Sequence, residues 1–122
     1  MRGFREAFEA YGADYGATMA RFMGSETMYL RLLDMLFQDK NLQKLGDAVA
    51  SGDLRGAFEA AHTLKGVAGN MGLTPLYDAV CAMVEPLRTG QQCADYPVLY
   101  QVVQEEFQRA KIFRDDLKRT VE

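Results

Sequence analysis

Asp53-Leu54-Arg55-Gly56-Ala57-Phe58-Glu59-Ala60-Ala61-His62-Thr63-Leu64-Lys65-Gly66-Val67-Ala68-Gly69-Asn70-Met71-Gly72 is the stretch that decides the fold. Leu54, Ala57, Phe58, Ala61, Leu64, Ala68 and Met71 recur at the spacing of one helix face. Asp53 stands where a carboxylate can accept from the unpaired amides of a first helical turn. Gly72 stands where a helix stops, because glycine alone takes a left-handed backbone without steric cost. One amphipathic helix with its stripe in a core is therefore expected.

The same pattern extends in both directions. Tyr29, Leu32, Leu33, Leu36 and Phe37 share a face, behind Ser25 as N-cap. Leu42, Leu45 and Val49 make a shorter stripe that ends at Ser51-Gly52. After Gly72, Thr74-Pro75 reads as a capping hydroxyl followed by proline at the first helical position. Leu76, Val80, Met83 and Leu87 follow at helical spacing, until Thr89-Gly90 breaks the run. A last helix is expected from Tyr96-Pro97, carrying Leu99, Val103, Phe107, Ala110 and Leu117. Two short helices, around Phe4–Tyr11 and Asp14–Phe22, are expected to pack across one end. No stretch alternates in the strand period, and no Asn-Gly or Asp-Gly hairpin turn occurs. Short loops favour antiparallel neighbours, so the expected fold is all-α: an up-and-down antiparallel four-helix bundle with additional short N-terminal helices.

Composition narrows the function classes. The chain has 122 residues, enough for one core, so a single domain over 1–122 is expected. A net charge of −3 gives no basic footprint for nucleic acid. No segment approaches the ~20 apolar residues of a membrane helix. Met1-Arg2-Gly3-Phe4-Arg5-Glu6 turns polar too early for a secretory leader. Cys81 and Cys93 match no metal spacing, and with a single histidine a structural zinc site is not expected. Free thiols in a reducing cytoplasm are the expectation.

The chemistry centres on His62. At about 100° per residue, the apolar stripe of its helix is centred roughly 130° away. The imidazole is thus expected in water, on a face shared with Arg55, Glu59, Lys65, Gly66 and Gly69, with Phe58 at the edge. Lys65 lies one turn on, within reach of an anion held on the ring. Gly66 and Gly69 each cost about 1 kcal/mol relative to alanine in a helix. On a face where no neighbouring helix is expected to press, they make sense if something large must approach His62. Taken singly, a surface histidine, a lysine one turn away and a helical glycine are commonplace. Their ordered combination carries the argument.

That combination, His62-Thr63-Leu64-Lys65-Gly66 followed by Gly72, resembles the histidine-phosphotransfer (HPt) family of two-component phosphorelays. The resemblance extends over roughly Asp14 to Lys118, with Arg21-Phe22-Met23-Gly24-Ser25 similar to the segment before the family's next bundle helix. It implies that His62 is the phospho-acceptor and that Lys65 steadies the phosphoryl oxygens. Gly66 and Gly69 would admit the rim of a receiver domain, with Phe58 and Glu59 on the same partner-binding face. Glu59 could also hydrogen-bond the second ring nitrogen. Leu64 would be core, and Gly72 a helix terminator. The implied partners are receiver domains of response regulators or hybrid histidine kinases. A receiver would bring the aspartate, a lysine and Mg²⁺, so no cofactor is expected on this chain.

Phosphate would pass from one receiver aspartate to His62 and on to another. The chain shows no Walker loop or kinase nucleotide site, so it is read as a relay intermediate, not an enzyme. Two other readings stand beside this one. The chain could be the HPt segment of a larger hybrid or chemotaxis-type histidine kinase, or a helical interaction module without phosphotransfer. A monomer is expected, since all the helices can be satisfied within one bundle.

Overall fold

The structure, a computed structural model, describes residues 3–121. Met1, Arg2 and Glu122, which the single-domain expectation includes and of which the first two belong to the N-terminal reading, lie outside the described residues. The described residues form seven helices and no strand. They are α1 (Phe4–Tyr11), α2 (Tyr15–Arg21), α3 (Glu26–Gln38), α4 (Asn41–Ser51), α5 (Leu54–Asn70), α6 (Thr74–Arg88) and α7 (Tyr96–Thr120).

Helices α4 to α7 form the four-helix bundle, each packed on the next, with α7 closing back on α4. At 25 residues α7 is the longest, roughly 37 Å at 1.5 Å per residue, and it serves two sets of partners. Its first half meets α4, where the Tyr100 hydroxyl donates to the Leu42 carbonyl at 3.0 Å. From Phe107 onward it carries α3 and α1. Asp34 of α3 pairs with Lys118 at 3.0 Å, and Phe37 meets Phe107 edge-on. Tyr11 of α1 stacks on Phe113 with centroids 4.5 Å apart. The short N-terminal helices thus gather at one end of the bundle, as expected.

Local chemistry sets the boundaries of the central helix. The Asp53 carboxylate accepts from the Gly56 amide at 3.0 Å, capping α5. At the other end Gly72 takes φ +69°, and the Leu73 amide turns back to the Ala68 carbonyl at 2.9 Å. Two side chains from outside the bundle secure that end. The buried Tyr29 hydroxyl donates to the Met71 carbonyl at 2.8 Å. Burial pushes the Tyr29 pKa well above the usual tyrosine range, which keeps the hydroxyl protonated and able to donate. The Arg21 guanidinium donates to the carbonyls of Gly69 at 2.8 Å and Asn70 at 3.3 Å. A cation there satisfies open carbonyls and suits the negative end of the helix dipole.

Two local expectations are corrected. Thr74 does not cap α6: Leu73 is the N-cap residue, no side chain caps this end, and Thr74-Pro75 form the first helical positions. The Leu73 amide is already committed to closing α5, so the two helices share a turn too tight for a separate capping residue. Leu32 is not core either, since it is 37% exposed. The core face of α3 is Tyr29, Leu33 and Leu36, and its α7 side is Asp34 and Phe37. Leu32 falls on the remaining flank with Met28 and Met35, both exposed.

Candidate functional site

The inner face of α5 consists of Ala57, Ala60, Ala61, Leu64 and Ala68, all buried. Small side chains let α4 and α6 come close on both sides, which places α5 at the middle of the layer. The opposite face has no such cover. His62 is exposed there, with Thr63 beside it and Gly66 one turn on. Leu64 is 2% exposed, the core position expected of it.

A shallow depression on this face is lined by His62, Lys65, Gly66, Gly69, Asn70 and Tyr77. His62 and Lys65 therefore share one surface. Among the described residues Lys65 is in no ion pair, so its ammonium can meet an incoming anion. The space over Gly66 is empty out to 4 Å from where a β-carbon would sit. A second, larger depression continues past Gly69 and Tyr77 to Asp14 and Arg21 of the α2 end.

Gly69 is a different case from Gly66. A β-carbon there would lie 3.3 Å from the Tyr77 ring of α6, so a neighbouring helix does press on this position. The expectation that no neighbouring helix presses on this face holds at Gly66 and is corrected at Gly69. Both positions still border the depression, and Tyr77 forms its far wall. Hydrogen bonding with the Cys81 thiol raises the Tyr77 pKa, so the wall is a neutral phenol.

Glu59 also sits differently from its expected hydrogen bond to the imidazole. Its carboxylate lies 3.5 Å from Arg55, one turn earlier, and its backbone carbonyl accepts from the Thr63 hydroxyl at 3.0 Å. Among the described residues the imidazole of His62 makes no hydrogen bond. Its near neighbour is an aromatic ring: Phe58, with centroids 5.6 Å apart and planes inclined by 35°. The Arg88 guanidinium of α6 lies 5.9 Å from the same Phe58 ring.

Sequence reasoning missed Tyr77, Arg88 and Arg21. For two of them a signal was available. Helices α5 and α6 fold about Leu73, so residues equidistant from it face each other. Gly69 and Tyr77 are each four positions away, and Phe58 and Arg88 each fifteen. Arg21 had no such signal, because its contact joins helices 48 residues apart.

Among the described residues no group of three His, Cys, Asp or Glu side chains could hold a metal ion. No helix among them is long and apolar enough to cross a membrane. Cys81 and Cys93 are unpaired. A family model described as Hpt domain matches residues 31–112, more than half the chain and somewhat less than the reach of the resemblance read from the sequence. Among curated proteins and among solved structures, no significant match is found.

Proposed function

The chain belongs to the Hpt domain family, the histidine-phosphotransfer modules of two-component signalling, and on that premise we propose that His62 is its phospho-acceptor in a relay between receiver-domain aspartates. The observation that carries the reading is the surface around His62. The only histidine of the chain is exposed, makes no hydrogen bond among the described residues, shares a depression with Lys65, and has open space over Gly66.

The step is a displacement at phosphorus. A ring nitrogen of neutral His62 donates its lone pair to the phosphorus of an aspartyl phosphate. The bond between phosphorus and the carboxylate oxygen breaks, and the carboxylate leaves with that electron pair. The imidazole then carries the phosphoryl group and loses its remaining N–H proton to water. Return transfer to a second aspartate reverses each event. Little covalent chemistry falls to the protein, so positioning and charge dominate. Lys65 would meet the phosphoryl oxygens as a mobile point charge. The partner would supply Mg²⁺, its aspartate and a lysine.

Gly66, Gly69, Glu59 and Phe58 form the surface over which the receiver's rim would pass. In this reading the chain is a monomeric, cytoplasmic intermediate with no cofactor of its own, and it does not act as an enzyme. The same surface would serve equally within a larger hybrid or chemotaxis-type kinase. Incubation with a panel of phosphorylated receiver domains, followed by detection of phosphohistidine, tests the reading. Transfer to wild type and none to His62→Gln is expected. A wild-type protein that no phosphorylated receiver labels would overturn the relay between receivers and leave the kinase-segment and interaction-module readings.

A further inference from the structure

We propose that Phe58 is a positioning residue for the imidazole of His62, held in place from the neighbouring helix by Arg88. The proposal rests on His62 being the acceptor and goes beyond it, since Phe58 would act before any partner arrives.

An exposed histidine on a helix ordinarily samples several rotamers, and fixing one costs side-chain entropy. A nucleophile that must meet a phosphorus atom in line gains from being fixed beforehand. Two devices can fix an imidazole: a hydrogen bond to one ring nitrogen, or packing against its carbon body. The first is absent, because Glu59 lies against Arg55 and no described group bonds the ring. The second is present. Side chains on a helix lean toward its N-terminus, so His62 leans over the turn that carries Phe58, four residues earlier. The rings meet at 5.6 Å, within the range of aromatic contact.

Phe58 is itself restrained. It is half-buried against the core, and Arg88 lies 5.9 Å from its ring centroid, inside the cation–π range. Arg88 stands in the last turn of α6 and is also 3.4 Å from Glu85. The ladder therefore runs from a fixed helix end through Phe58 to the imidazole. Packing of this kind uses neither ring nitrogen. One remains available for phosphorus and the other for the proton that leaves.

The test is NMR of the His62 ring in the free, full chain, for wild type, Phe58→Leu, Phe58→Tyr and Arg88→Gln. Each variant's melting curve is recorded as a check on folding. In wild type the ring protons should show displacement by the Phe58 ring current and a single dominant side-chain rotamer. Phe58→Leu should remove the displacement and average the rotamers, and Phe58→Tyr should restore both. Arg88→Gln leaves the core intact, so it reports even if Phe58→Leu is poorly folded, and it should produce a partial version of the same change. With a phosphorylated receiver at saturating concentration, Phe58→Leu should lower the single-turnover rate of the bound complex about two- to fivefold, whatever change in Kd accompanies it, and Arg88→Gln should lower that rate less.

Ring signals and rotamer populations that are the same in wild type, Phe58→Leu and Arg88→Gln would overturn the proposal. So would a Phe58→Leu protein that loses receiver affinity but transfers at the wild-type rate once bound, since Phe58 would then be a docking contact alone. Failure of every protein to accept phosphate would overturn the acceptor assignment instead, a result separate from the spectra.

Discussion

The two faces of α5 do opposite things within the same seventeen residues. The inner face is buried alanine and leucine, against which α4 and α6 pack. The outer face is a histidine, a threonine, a half-exposed lysine and two glycines, of which one is fully open. Burial of the first face fixes where the helix lies, and exposure of the second leaves its groups open to solvent. Because one rigid helix joins the faces, the core places the imidazole without touching it. Stability and reactivity should therefore separate cleanly under mutation.

The sharpest break is His62→Gln. Phosphoryl acceptance should vanish, while the melting curve stays within about 0.5 kcal/mol of wild type, as for other exposed positions. Radiolabel transfer from a phosphorylated receiver, read beside thermal unfolding, checks both halves. Residual labelling of the variant would move the acceptor elsewhere.

Leu64→Ala attacks the other face, two residues on. Leu64 is fully enclosed, so its truncation should cost about 2–5 kcal/mol in denaturant unfolding. The fraction that remains folded should still accept phosphate. A variant of normal stability would mean that this face is not the core.

Gly66→Arg places a long side chain where nothing now stands. The fold should persist, and receiver affinity should fall tenfold or more, equivalent to about 1.4 kcal/mol, by titration calorimetry. Normal affinity would show that the receiver approaches from another direction.

Lys65→Ala should be milder. Solvent screens an exposed ammonium, and such contacts are worth up to about 1 kcal/mol. The expected effect is a transfer rate lowered by about fivefold at most, or a phosphohistidine lifetime shortened by the same factor, with receiver binding retained. Wild-type rates in both directions of transfer would remove Lys65 from the site.

The smallest effects distinguish the two glycines. Gly66→Ala meets open space and should stabilise the free domain by up to about 1 kcal/mol through helix propensity. Gly69→Ala should give less or nothing, because its new methyl meets the Tyr77 ring at 3.3 Å. Chemical denaturation of the pair reads the difference, and equal gains would mean that Tyr77 yields without cost.

The sequence by itself determined the helices, the orientation of α5 and the place of His62 on its exposed face. The 3.6-residue period is a local property, and it placed Leu64 inside and His62 outside before any contact was known. Asp53 and Gly72 were legible for the same reason, since caps and left-handed turns depend on the chain within a few residues. The motif around His62 was legible because its members lie within one short run.

Tertiary structure decided what each face meets. Leu32 fits the periodicity of α3 as well as Leu33 does, yet it is exposed, because periodicity gives a direction and not the presence of a neighbour there. Thr74 looked like a cap until Leu73 closed α5 and began α6 in one turn. Gly66 and Gly69 are alike on a helical wheel, and only the packing of α6 puts Tyr77 over one of them. Arg21 reaches the end of α5 from another helix, a pairing that no local pattern encodes. The wheel is a one-dimensional projection of a single helix. Which residues stand across from it is set by how the whole chain closes on its core.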